Sequence, residues 1–170
     1  MGDLPARLGR ALAGRVAVLG MGNPDLGDDG FGVALAAALD AAGAPEVVQA
    51  GTTPEHHIQR LADAGYDAVL FLDAVELHSP PGSCALLAAD EIRIACPQIS
   101  THKLSVGTLA QIAESGGATR AWLLGVQPAS LRPGAGLSEP VRTALAALRT
   151  LLLPLLGAPA APAAVVMESQ

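Results

Sequence analysis

Five short apolar runs interleaved with four helical patterns constrain this chain more than any other feature. The runs are "RVAVLG" (15–20), "EVVQAG" (46–51), "DAVLFLDAV" (67–75), "SCALLAADEI" (83–92) and "RAWLLGVQP" (120–128). Between and after them lie "DGFGVALAAALDAAG" (29–43), "TPEHHIQRLADAG" (53–65), "SVGTLAQIAESG" (105–116) and "LSEPVRTALAALRTLLLPLL" (137–156). Thr53 is placed to cap the second helix, with Pro54 at its first position, and Ser138 the last. Strands alternating with helices of this length predict an α/β fold: a three-layer sandwich with a mostly parallel, twisted sheet of about five strands and helices on both faces. The "ELHSPPG" link between the third and fourth runs is too short for a crossover helix, so those two strands are expected to pair antiparallel at one edge. Residues 1–14 read as an N-terminal arm, 15–156 as one domain, and 157–170 as a flexible Pro/Ala-rich tail.

Composition narrows the function. Trp, Tyr and Phe together make 2% of a chain that is 51% hydrophobic, so the core is aliphatic. The net charge of −6 opposes nucleic acid as a partner, and no aromatic stacking platform exists. "MGDLPARLGRALAGR" lacks the apolar core of a signal peptide, and Pro154, Pro159 and Pro162 interrupt the only long apolar stretch, near the C-terminus. A cytoplasmic protein without a membrane segment is expected. Cys84 and Cys96 match no zinc-ligand spacing and are expected to be reduced. No heptad or long apolar strand edge is visible, and a monomer is expected.

In an open sheet of this kind, ligands bind beyond the carboxyl ends of the strands. Asn23, Asp25, Asp28 and Asp29 follow the first run, Asp73 and Glu76 end the third, Ser100 to Lys103 precede the third helix, and Gln127 follows the last run. The glycines of "VLGMGNPDLGDDGFGV" hint at a dinucleotide cradle, but Gly27 falls two positions late for the fingerprint. Carboxylates stand where a pyrophosphate would lie, so no nucleotide site is expected. Asp28 is placed to cap the helix that follows it. Asp29, with the small Gly30 and Gly32 close by, is the more functional candidate, because small neighbours would let another chain come close. Asp73 ends an apolar central strand, where a charge is expensive unless paired, ligated or at the rim. His102 lies in a polar loop. Brought together, Asp29, Asp73 and His102 would form a carboxylate–carboxylate–imidazole set suited to a borderline divalent metal, with positions left for a substrate. Asn23, Asp28, Glu76 and Gln127 are candidates for substrate binding or support. No nucleophile elbow is present, and neither cysteine has the electropositive setting of a reactive thiol.

"VLGMGNPDLGDDGFGVAL", "LFLDAVELHSPPGS", "STHKLSVGTLAQIA" and "LLGVQPASLRPGAGLSEPVRTAL" occur in this order and at these spacings. Together they resemble the nickel–iron hydrogenase maturation endopeptidases. "GTTPE" (51–55) and "GVQP" (125–128) look most like the branch that processes the formate-hydrogenlyase type of large subunit. The resemblance covers about residues 15–152. It implies an endopeptidase that removes the C-terminal extension of a hydrogenase large-subunit precursor after nickel insertion, recognising the substrate-held nickel through two carboxylates and a histidine. By motif position these are Asp29, Asp73 and His102, with Asp29 standing where better-known members carry glutamate. Asp29 and Asp73 would be the catalytic acids. The nickel would come with the precursor, and no organic cofactor is implied. Whether the metal would act as a Lewis acid or an anchor, and whether a carboxylate would serve as general base, are both open on this resemblance. A non-proteolytic nickel-binding accessory protein of hydrogenase assembly is the alternative.

Overall fold

The computed structural model describes residues 3–96 and 104–157. Its strands are β1 (Val16–Met21), β2 (Val47–Gly51), β3 (Ala68–Ala74), β4 (Cys84–Ala88) and β5 (Arg120–Val126). Its helices are α1 (Leu4–Ala11), α2 (Phe31–Ala41), α3 (Glu55–Asp63), α4 (Ala89–Ala95), α5 (Val106–Ala113) and α6 (Glu139–Leu155). The sheet runs β2-β1-β3-β5-β4. The first four of these are parallel, and β4 runs antiparallel to β5 at the edge.

Alternation along each strand divides the core in two. Val16, Val18, Leu70, Leu72, Leu124 and Val126 pack with Leu8, Phe31, Leu35, Leu39 and Leu152, which places α1, α2 and α6 on one face. Ala17, Leu19, Val69, Phe71 and Leu123 pack with Ile58, Leu61, Ile92 and Leu109, which places α3, α4 and α5 on the other. Both faces of the central strands are covered, as parallel sheets require. This is the three-layer α/β sandwich that the alternation of patterns predicts.

Several local expectations are corrected. The run 83–92 is not one strand: β4 ends at Ala88 and α4 follows at once. The Ala88 N–H donates to the Glu91 carboxylate at 2.8 Å, and Asp90 and Glu91 place negative charge in the helix's first turn. The edge strand pairs with β5 rather than with β3. The Val75 N–H donates to the Val126 carbonyl at 3.0 Å and the Gln127 N–H to the Ser83 carbonyl at 2.8 Å, so the 75–83 connection straddles the end of β5. Thr53 does not cap α3 through its side chain. Its hydroxyl donates back to the Ala50 carbonyl at 3.3 Å, and α3 starts after Pro54. Residues 4–11, expected in an arm ahead of the domain, form α1, and its Leu8 is buried in the core. Among the described residues no helix is long and apolar enough to cross a membrane. The tail from residue 158 on lies outside the described residues.

Candidate functional site

Glycine packing brings the carboxyl ends of β1 and β3 against the start of α2. A Cβ on Gly32 would run into the carbonyls of Leu72 and Met21, so α2 begins directly on the two strand ends. Gly30 packs against Pro24, whose Cα would be 2.9 Å from an added Cβ. These small residues serve close packing inside the chain, not the approach of another chain.

Gly22 is the pivot. It takes φ +115, and a Cβ there would collide with the Asp29 carbonyl and lie 3.5 Å from Asp73 Oδ1. The backbone of Asp29, in the 3-10 turn Gly27–Gly30, and the side chain of Asp73, near the end of β3, therefore approach the same point of the rim. Both are nearly buried, at 7% and 6% exposure. The Asn23 N–H donates to Asp29 Oδ2 at 2.8 Å, and the Ala74 N–H donates to Asp73 Oδ1 at 2.9 Å. These bonds fix the orientation of each carboxylate.

Asp28 points elsewhere. Its carboxylate is fully buried. It accepts from the Ala129, Ser130 and Ser138 N–H groups at 2.8, 3.1 and 2.6 Å, and from the Ser138 hydroxyl at 2.8 Å. Burial works to raise its pKa, but the hydrogen bonds from Ser138, Ala129 and Ser130 outweigh that, and the net shift is below the ordinary 3.8. The expectation that Asp28 caps its own helix is corrected: α2 has Gly30 at its N-cap with no side-chain bond. Asp28 instead holds Ser138, the N-cap of α6, from across the fold.

Glu76 and Gln127 hold the connections above β3 and β5. Gln127 Oε1 accepts from the Leu77 N–H at 2.6 Å, and its Nε2 donates to Glu76 at 3.2 Å. Glu76 is exposed at its side chain and accepts from the His78 N–H at 2.8 Å. The His78 N–H and then the Gln127 amide hold the Glu76 carboxyl below its usual range. The Asn23 side chain accepts from the Asp25 N–H at 3.0 Å, which shapes the turn between β1 and Asp29.

His102, with Ser100, Thr101 and Lys103, lies outside the described residues. Among the described residues no group of three His, Cys, Asp or Glu side chains is arranged to hold a metal ion. Asp29 and Asp73 are two carboxylates only, so a complete metal shell built on them needs further donors. Cys96 is a neighbour of the site that sequence reasoning missed. Its thiol is pushed up by burial and then by the Asp73 charge, so Cys96 stands within electrostatic reach of Asp73. It lies just past α4, beyond the 83–92 run, where the local sequence gives no sign of that proximity. Cys84 is likewise pushed up by burial. Both shifts keep the thiols protonated, in line with the expectation that neither is reactive.

Comparison with known proteins gives one consistent picture. Residues 33–154 match the family model described as "HycI: Hydrogenase maturation protease". The hydrogenase expression/formation protein HoxM of Azotobacter vinelandii is 33% identical over 150 residues, covering 82% of this chain and 72% of that protein. A Methanocaldococcus jannaschii protein assigned by name to the hydrogenase maturation proteases is 29% identical over 80 residues, and the match spans about half of its length, 52%. The crystal structure of the [NiFe] hydrogenase maturation protease HycI from Thermococcus kodakarensis KOD1 superposes with a TM-score of 0.78 at 26% identity, over 89% of this chain and 99% of that one.

Proposed function

The chain belongs to the hydrogenase maturation protease family, and from that premise we propose that it is the endopeptidase that removes the C-terminal extension of a nickel–iron hydrogenase large-subunit precursor once nickel is in place. The approach of the Asp29 turn and the Asp73 side chain to Gly22 at the carboxyl rim carries this reading. Two carboxylates steadied by backbone N–H groups can grip a divalent cation that arrives already held by the precursor. His102, by motif position, supplies the imidazole that suits nickel better than oxygen donors alone. The "GTTPE" and "GVQP" segments favour the branch acting on the formate-hydrogenlyase type of large subunit.

Gripping the substrate's metal fixes the cleavage site against the rim and converts an encounter into an oriented complex. A water molecule then attacks the scissile carbonyl carbon. A carboxylate of the pair accepts the water's proton and passes it to the departing amine, so one peptide bond and one water become a carboxylate and an amine. The acidic rim disfavours a precursor whose site holds thiolates and no metal, which makes nickel loading the condition for cleavage.

The test is incubation with nickel-loaded and with nickel-free precursor, read by mass spectrometry. Loss of a C-terminal peptide from the loaded form alone is expected. Nickel transfer or stoichiometric binding without any mass loss would instead indicate an accessory protein.

A further inference from the structure

Adjacent aspartates on the same turn do different work, and the less obvious one reaches further. We infer that Asp28 is a positioning residue for the reaction: it locks the 129–138 segment and the Asp29 turn into one unit, so that the placement of the Asp29 carboxylate depends on a contact made across the fold. The inference rests on the peptidase reading above.

The contact is two-sided. From the turn, the Asp28 carboxylate accepts four hydrogen bonds from Ala129, Ser130 and Ser138. In return, the Asp28 N–H donates to the Ser130 carbonyl at 2.9 Å. Gly27 presses the same surface: at φ +56, its added Cβ would lie 2.6 Å from the Ser130 carbonyl and 3.3 Å from the Arg132 backbone. The segment so held is exposed from Ala129 to Gly136 and has no helix or strand of its own. It connects the carboxyl end of β5 to α6, on the rim where Asp29 and Asp73 meet.

Charge-assisted bonds from a fully buried carboxylate are the strong kind. They bear on Asp29 because Asp28 and Asp29 share one short 3-10 turn, with the Asp29 N–H donating to the Leu26 carbonyl at 3.1 Å. A turn released from the Asp28 carboxylate keeps only two backbone bonds to that segment, from the Asp28 N–H to the Ser130 carbonyl and from the Gly134 N–H to the Asp25 carbonyl, both at 2.9 Å. The Asp29 carboxylate then loses its fixed relation to the Asn23 N–H. Small misplacements of this sort lower the rate of the bound complex more than they lower binding.

Asp28→Asn keeps the shape and replaces an acceptor oxygen by a donor. Ser138→Ala removes one hydroxyl donor and leaves all three backbone donors in place. Ser138→Thr keeps the hydroxyl. Two measurements read the effect. In amide hydrogen exchange, protection of the Asn23 N–H is expected to fall about tenfold or more in Asp28→Asn and less in Ser138→Ala, while β3 amides keep theirs. In single-turnover cleavage of nickel-loaded precursor, the rate per folded molecule at saturating precursor is expected to fall about tenfold or more in Asp28→Asn. Ser138→Ala should fall in the same direction, and Ser138→Thr should return close to wild type.

Unchanged Asn23 protection in folded Asp28→Asn and Ser138→Ala overturns the inference, as does a wild-type rate per folded molecule with only a lowered melting point. If wild-type protein leaves the loaded precursor intact, the peptidase reading fails, and the hydrogen-exchange arm alone decides whether Asp28 places Asp29.

Discussion

The Asp73 carboxylate lies 3.5 Å from the point that a Cβ on Gly22 would occupy, and the Asp29 backbone carbonyl already occupies that space. A missing side chain at Gly22 thus lets the Asp29 turn pack beside the end of β3.

Gly22→Ala should therefore damage both stability and activity. The left-handed φ of +115 penalises any side chain, and the Cβ has no room against the Asp29 backbone. A loss of roughly 1–3 kcal/mol is expected from the backbone conformation alone, with the collision adding to it. Chemical denaturation checks the first part, and cleavage per folded molecule the second. A neutral substitution would mean that the rim packs more loosely than described.

Cys96 offers a reporter on the site. Asp73 opposes thiolate formation at Cys96, alongside burial. Removing that charge with Asp73→Asn should lower the Cys96 pKa and raise its labelling rate by a thiol reagent near pH 8, by about twofold or more. The comparison is best made in a Cys84→Ala background. An unchanged rate would show that Asp73 does not act on Cys96.

Acid stability should carry the signature of Asp28. Its folded-state pKa lies below the ordinary 3.8, because hydrogen bonds outweigh burial. Below the ordinary value the unfolded chain takes up the proton before the folded one does. The Asp28 contribution is therefore complete above about pH 4, near the unfolded value, and is lost as pH falls through the folded-state pKa. Asp28→Asn should be less stable than wild type near pH 6, and the gap should narrow below about pH 4. Urea midpoints at several pH values measure this. A gap that stays constant from neutral pH down to about pH 2 would contradict it.

The fold's layers were legible because β1, β3 and β5 carry apolar runs (16–21, 68–72 and 121–126) and Gly43, Gly65 and Gly116 follow α2, α3 and α5. The carboxyl-rim rule also pointed to Asp29, in the turn after β1, and Asp73, near the end of β3. The switch from β4 to α4 was not legible: Ala88 passes directly to Ala89 with no turn residue, and only the Glu91 bond to the Ala88 N–H marks the change. The partner of β4 was hidden for a topological reason, since β5 enters later in the chain and inserts beside β3. The work of Asp28 could not be read locally at all. Its acceptor sites are filled by Ala129, Ser130 and Ser138, whose separation from it reaches 110 residues.

The central claim is that Asp29 and Asp73 together act on a precursor that brings its own nickel. The most direct measurement is the single-turnover rate of C-terminal cleavage of nickel-loaded precursor by wild type and by Asp73→Asn, with folding checked by circular dichroism. Wild type is expected to give a discrete mass loss and a folded Asp73→Asn a rate lower by at least about a hundredfold, the scale of effect that a lost catalytic group produces. Cleavage by folded Asp73→Asn at the wild-type rate would contradict it.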